Sequence, residues 1–282
     1  MTIEFLPKHV SHSSINSYLR CGKAFELEKV QHYPQTPAWW LLGGSAVHQA
    51  TEWLDKDEWD DTPESAFHYA LFLEVDKARE VEPDDSKWLK AGYGGRAQGY
   101  EHWSEKGPRY VRQWYDREWP GGADHSWVEL DVSTTLPSGI EIKAYIDRVI
   151  VGNSLNWTEI VDLKTGGTRP DSDQQMGIYS VLLREWFRTK FGLPYVADYE
   201  IKAFNYMFKD DEFYEVDVRN WTLDTVDQLA QQWMKGVTNG IFLPNRGKLC
   251  GTCSVSGGCF LQSGYTDLTR KYDRLNPYYR EQ

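Results

Sequence analysis

Positive charge, cysteine and long apolar runs are all scarce in this sequence. Among its 282 residues, 31 are Lys or Arg against 42 Asp or Glu, a formal net charge of −11. That balance excludes indiscriminate binding to polyanions while leaving room for a local basic groove. The acids gather in DKDEWDD (55–61) and EVEPDD (80–85), where solvated helix ends are expected. No apolar run approaches the roughly 20 residues that span a bilayer, and the N-terminus has no signal-peptide pattern, so the expected location is the cytoplasm. Low-complexity tracts and internal repeats are absent too. Only four cysteines occur, and in a cytosolic protein they are not expected to build a disulfide framework.

Aromatic side chains, by contrast, are abundant: 13 Trp and 17 Tyr exclude a generally disordered chain. The length allows one substantial core, with or without a small satellite. SHSSINSYLRCGKAFELEKV (11–30) has Ser caps and apolar residues at Ile15, Tyr18, Leu19 and Phe25, the pattern of an amphipathic helix, and it carries Cys21. LLGGSAVHQATEWL (41–54) predicts a second helix bearing His48, in which two glycines bring the backbone close to a neighbour. TPESAFHYALFLEVDKA (62–78) opens with a Thr cap and a proline at the first helical position, and further helix is predicted through Trp119. From about residue 126 the pattern changes to SWVELDVSTTL, IEIKAYIDRVIV and NWTEIVDLKTG, three strands of an antiparallel meander separated by the turn-like PSG and GNS. A helix over 171–192, strands near 197–208 and 212–218, and a helix near 222–239 complete an α/β pattern, a mixed sheet flanked by helices. The chain thus reads as a helical part (1–125), a core (126–240) and a cysteine-rich tail (241–282) within one continuous domain.

Charged residues inside these strands carry the chemistry. In EIVDLKTGG (159–167) side chains alternate, so Asp162 and Lys164 share one face while Val161 and Leu163 take the other. In AYIDRVIV (144–151) Asp147 interrupts an apolar strand. One such acid is ordinarily half of a structural ion pair. Two on consecutive strands of a meander can stand side by side, and close carboxylates repel unless a cation lies between them. Oxygen donors suit Mg²⁺ or Mn²⁺. Lys164 is then placed to orient an attacking water or to stabilise charge on a phosphate. On the preceding strand Val128, Leu130 and Val132 are expected toward the core, which leaves Glu129 toward solvent.

Taken in order, these residues resemble the PD-(D/E)XK nucleases, and among them the RecB-like branch. YIDRV with Asp147 is similar to that branch's GxIDR strand, and DLKTGG with Asp162 and Lys164 to its (D/E)xK strand. QMGIY with Gln175 and Tyr179 is similar to its QxxxY helix, and GGSAVH with His48 to its upstream GxxxxH helix. The resemblance covers about residues 11–262. It implies a restriction-endonuclease-like fold in which His48, Asp147 and Asp162 ligate Mg²⁺ or Mn²⁺ and Lys164 assists the attacking water. Gln175 and Tyr179 would hold the DNA backbone, and Arg148, on the opposite face from Asp147, would be a further DNA contact. Some relatives place an acid near the metal where Glu129 stands. The resemblance also implies exonucleolytic hydrolysis of DNA that is single-stranded or has free ends, and a protein partner in recombination, repair or CRISPR-type processing.

Cys250, Cys253 and Cys259 form CxxCx5C, and Cys21 is the one cysteine outside that group. Zinc ribbons prefer two CxxC pairs. The three-plus-one arrangement is similar instead to the iron–sulfur subgroup of RecB-like nucleases, which includes the AddB nuclease domain and the CRISPR-associated exonucleases of the Cas-four type. That resemblance implies a [4Fe–4S] cluster on Cys21, Cys250, Cys253 and Cys259, although four thiolates suit zinc as well. Family members often have proline after the first cysteine, where this chain has Gly22. No Walker A motif or other helicase sequence occurs, so a free-standing nuclease is expected.

Two other classes compete with this expectation. A non-catalytic DNA-binding module built on iron–sulfur or zinc has no need of Asp147, Asp162 and Lys164 together. A carbohydrate-cleaving protein would use tryptophans and paired acids, but neither the lysine nor the cysteines. The expectation is therefore a metal-dependent DNA exonuclease with an iron–sulfur segment.

Overall fold

Strand β6 (Thr158–Lys164) lies at the middle of a five-stranded sheet, and its burial explains its apolar sequence. The computed structural model describes residues 7–90, 98–117, 123–152, 157–191 and 201–263. Contacts divide the chain into two compact units, one of Met1–Ile15 with Gln113–Asn239 and one of Asn16–Arg112 with Gly240–Gln282. The division is not linear in sequence: the cysteine-rich segment shares a unit with the N-terminal helices.

In the first unit the sheet order is β2 (Ala123–Asp131), β5 (Tyr145–Gly152), β6, β7 (Ile201–Met207) and β8 (Glu212–Val216). β6 and β7 run parallel, and the other neighbours are antiparallel. A parallel pair requires a crossover, which α6 (Gln174–Phe191) supplies while contacting both strands. The mixed sheet with helices on it agrees with a restriction-endonuclease-like fold. α7 (Leu223–Thr238) packs on α6, its first turn capped by Thr222, whose hydroxyl accepts from the Thr225 N–H. Trp221, just before it, fills the space where a Cβ on Gly177 would lie and donates to Asp173 Oδ2 at 2.9 Å. This fixes the first turn of α6, where Gln175 resides.

The run IEIKAYIDRVIV does not remain one strand. β4 (Glu141–Lys143) pairs with β1 (Val10–Ser11) and β3 (Thr134–Thr135) in a small separate sheet, and β5 begins only after Ala144. The break is held on both sides, because the Ala144 carbonyl accepts from the Val132 N–H at 3.0 Å and its N–H donates to Ser133 Oγ at 3.2 Å. Of the strand predicted near 197–208, residues 197–200 lie outside the described residues.

The second unit is helical. The predicted helix 11–30 is interrupted at Cys21, which is extended at φ −165° and separates α1 (His12–Arg20) from α2 (Gly22–Phe25) and a π turn at Glu26–Val30. Gly22 has a physical cause: a Cβ there would lie 2.8 Å from the Leu243 nitrogen and 3.0 Å from the Phe242 backbone. A proline, common at this place in the resembling family, has no room. α3 (Trp39–Asp55) and α4 (Pro63–Val81) pack together, and Gly43 on α3 seats the Trp103 indole of α5 (Tyr100–Tyr115), the neighbour that the glycine pair predicts. α8 (Ser256–Ser263) follows the last cysteine-bearing turn. Among the described residues, no helix is long and apolar enough to cross a membrane.

Candidate active site

The polar face of β6 presents Asp162 and Lys164 two residues apart, as strand alternation requires. Lys164 Nζ lies 2.5 Å from Asp162 Oδ2. Asp162 is only 3% exposed, and a buried carboxylate is stable only with charge or hydrogen-bond partners. Gln175 joins the pair from α6. Its Oε1 accepts from Lys164 Nζ at 2.7 Å, and its amide nitrogen donates to Asp162 Oδ1 at 2.6 Å and to the Tyr179 hydroxyl at 3.2 Å. The four-residue spacing of Gln175 and Tyr179 sets both on one helix face. These four residues thus form one connected network.

Asp147 enters from the neighbouring strand. Register pairs Arg148 with Val161, which sets Asp147 beside Asp162, and Asp147 Oδ2 accepts the Leu163 N–H at 2.7 Å. Glu129 lies on β2 between the pairs Val128–Arg148 and Leu130–Ile146, and so stands opposite Asp147. Its φ of 53° is left-handed, rare for a non-glycine residue. Alternation sets Glu129 opposite Val128 and Leu130, on the face that Asp147 occupies and not toward open solvent: the side chain is half-buried, with a carboxylate oxygen within 4.8 Å of one on Asp147. The gathered acids act on Tyr179, whose phenol is made a weaker acid first by burial and then by Asp162, with Asp147 and Glu129 adding. Tyr179 therefore remains a protonated hydroxyl at any physiological pH.

A residue without any motif also reaches this network. His12, at the start of α1, has its pKa pushed down to about 4 by burial first and by the Lys164 charge second. It is neutral at pH 7, and no sequence signal in the Ser-rich SHSS marks it. Arg148 departs from expectation: it is 3% exposed, its Nη1 donates to the Asp147 carbonyl at 2.6 Å, and its guanidinium lies 5.5 Å from the Trp114 ring centroid. Its Nη2 is sealed from solvent, which places Arg148 in the core rather than on a surface that faces DNA. His48 is half-buried on α3, where its carbonyl accepts from the Thr51 hydroxyl at 2.9 Å.

The four cysteines are free of disulfides and line a single pocket in the second unit, with Ala24, Val255 and Ser256. Asn245 borders Cys21, its N–H 3.4 Å from the sulfur and its side chain donating to the Arg20 carbonyl at 2.9 Å. Among the described residues, no three thiols draw within 4.8 Å of one another. The structure brings the thiols to one pocket without closing them into a tight ligand set.

A sequence description of the PD-(D/E)XK nuclease superfamily matches residues 9–260. The chain belongs to that superfamily. Membership indicates nuclease activity that depends on a divalent metal, with DNA as substrate. Two curated relatives are similar over nearly their whole length. The Gene 69 protein of Mycobacterium phage D29 is 24% identical over 277 residues, covering 88% of this chain and 95% of the relative. The Gene 69 protein of Mycobacterium phage L5 is 24% identical over 287 residues, with the same coverage. For a PD-(D/E)XK nuclease the oxygen donors on β2, β5 and β6 fit the hard cation that the superfamily uses.

Proposed function

We propose that this nuclease is an exonuclease that degrades single-stranded DNA or works inward from DNA ends. One observation carries the catalytic assignment: Asp147 and Asp162 lie side by side with Glu129 opposite, in a place closed enough that their charge reaches Tyr179. Three such acids call for a cation. Asp147 and Asp162 would hold Mg²⁺ or Mn²⁺, Glu129 supplies a further oxygen, and His48 is assigned as an imidazole ligand from the GGSAVH motif. When bound, the ion supplies Lewis-acid stabilisation of charge on the phosphoryl oxygens. Lys164, held by Asp162 and Gln175, orients the attacking water and neutralises developing charge. Gln175 and Tyr179 position the DNA backbone.

The preference for single strands follows from charge and confinement. At a net charge of −11 the surface as a whole repels DNA, so the strand follows a narrow local path, which suits a flexible single strand. The experiment compares rates on linear single strands, blunt duplex and sealed circular duplex at low and high salt. Fast loss of the linear single strand, slowed by salt, is expected; equal rates on sealed circle and linear single strand would overturn the exonuclease reading.

The cysteine pocket is proposed to hold a [4Fe–4S] cluster. Tetrahedral zinc with sulfur at about 2.3 Å draws its thiolates to roughly 3.8 Å from one another. Thiols spread around a shared pocket, with no three inside 4.8 Å, favour a larger group. Burial, with Glu28, Cys21 and Cys250 adding, pushes the Cys253 thiol up to about 11, so the Cys253 thiolate calls for a cation to pair it.

A further inference from the structure

The polar row on the active-site face of the sheet does not stop at Asp162. Parallel register pairs Asp162 with Asn205 on β7, and antiparallel register pairs Asn205 with Tyr214 on β8. Directly paired residues on neighbouring strands project from the same face. Glu129, Asp147, Asp162, Asn205 and Tyr214 therefore cross all five strands on one side. Asn205 interrupts an apolar strand as Asp147 does, with Ala203 and Met207 fully buried on either side of it on that face. It is only 5% exposed, yet none of the hydrogen bonds among the described residues involves its side-chain amide. Its amide atoms are not among the fully sealed, unpartnered polar atoms, so the small exposed part of the residue includes the amide, which is open to an outside partner.

Beyond Asn205 the row meets positive charge. The Arg169 guanidinium carbon lies 3.2 Å from the Tyr214 ring centroid, and Tyr214 is itself oriented by donating to Glu212 at 2.5 Å. Arg169 belongs to the loop that leaves Lys164, and Lys209 Nζ steadies that loop through the Gly167 carbonyl at 3.4 Å. Two inter-strand steps separate Asp162 from Tyr214, roughly 10 Å. That distance lets one strand of DNA touch both places.

We propose that Asn205, together with Arg169 held on Tyr214, forms a subsite for the nucleotide next to the phosphodiester that is cleaved. The Asn205 amide donates to a backbone oxygen of the DNA, and the Arg169 guanidinium neutralises the following phosphate. The assignment rests on the nuclease reading and adds positioning residues to it. Asn205 has the double donor and acceptor character that such a contact needs, and Arg169 is exposed while fixed in direction by the ring beneath it.

The test measures binding of a fluorescent oligothymidylate in EDTA, where cleavage is silent, alongside thermal unfolding. Parent, Asn205→Ala, Asn205→Leu and Arg169→Ala are compared. Asn205→Ala and Arg169→Ala are each expected to weaken binding about tenfold. Arg169→Ala should also lower the slope of log affinity against log salt by about one, and Asn205→Ala should leave that slope unchanged. Asn205→Leu is expected to unfold at or above the parental temperature, since it replaces a largely buried amide that makes no hydrogen bond within the described residues. Undiminished binding by Asn205→Ala, or loss of folding in both Asn205 variants, would overturn the subsite and leave the nuclease reading standing. A parent chain that neither binds nor cleaves single strands overturns both.

Discussion

Gln175 Oε1 accepts from Lys164 Nζ at 2.7 Å while the same side chain's amide nitrogen donates to Asp162 Oδ1 at 2.6 Å. One helix side chain thereby fixes the separation of an ammonium and a carboxylate that lie on one strand. Lys164 Nζ also lies 2.5 Å from Asp162 Oδ2, so Gln175 bridges an ion pair that is already in contact and holds both charged groups in one orientation.

Replacing Gln175 by leucine keeps the helix and removes both bonds. The expected result is a fall in kcat of about tenfold to a hundredfold, as for other groups that orient catalytic side chains. KM for a short single strand should rise too if Gln175 also touches the DNA backbone. Steady-state kinetics checks both effects. Unchanged kcat with intact binding would make the network incidental.

His12 gives a pH signature. Its folded pKa is about 4 and its ordinary value 6.5, so the folded state resists a proton that the unfolded chain accepts. The sign is therefore a loss of stability as pH falls from about 6.5 toward 4. At about 1.4 kcal/mol per unit the full effect would be about 3 kcal/mol, and solvent access to the ring reduces it to about 1–2. His12→Gln should flatten unfolding free energy over this interval. Chemical denaturation at pH 4.5 and pH 7 checks it, and a variant with the parental slope would remove His12 as the cause.

The proposed cluster would tie Cys21, next to α2, to residues 250–259, because Cys21 lies near one end of the unit's sequence and the other three cysteines near the other. A crosslink closing a loop of that length can stabilise by about 5 kcal/mol through the unfolded state, a large share of the roughly 5–15 kcal/mol of a whole domain. Cys21→Ala and Cys253→Ala are each expected to lose iron, solubility and nuclease activity together. Gly22→Ala leaves every thiol in place but pushes a Cβ against the Phe242–Leu243 backbone, and should cost about 1–3 kcal/mol. Thermal unfolding with iron analysis reads all three. Full iron and parental stability in Cys21→Ala would make Cys21 an ordinary thiol.

Much of the site was legible because its signals are local. Asp162 and Lys164 obey strand alternation, Gln175 and Tyr179 obey helical spacing, and Asp147 stood out as an acid in an apolar strand. Glu129 lies on the face that alternation assigns, and the pattern alone does not show that this face carries the other acids and not solvent. The break at Ala144 was hidden because β4 pairs with β1, which is distant in sequence. Arg148 looked available on pattern alone, and only its position against Trp114 shows it enclosed. Asn205 carried the same signal as Asp147, a polar residue in the apolar run IKAFNYMF, and that signal would have flagged it. His12 carried none, since its environment is made by residues far along the chain.

Cleavage of a linear single strand by the parent, Asp162→Ala and Lys164→Ala across titrations of Mg²⁺ and Mn²⁺ bears most directly on the central claim. Unfolding temperature and iron content are measured on the same samples. Both variants are expected to fold, to keep parental iron and to lose on the order of a thousandfold in rate at every metal concentration. An imidazole ligand further implies that Mn²⁺ supports the parent at least as well as Mg²⁺. Cleavage by a folded Asp162→Ala protein at rates comparable to the parent would contradict the assignment of β6 as the catalytic strand.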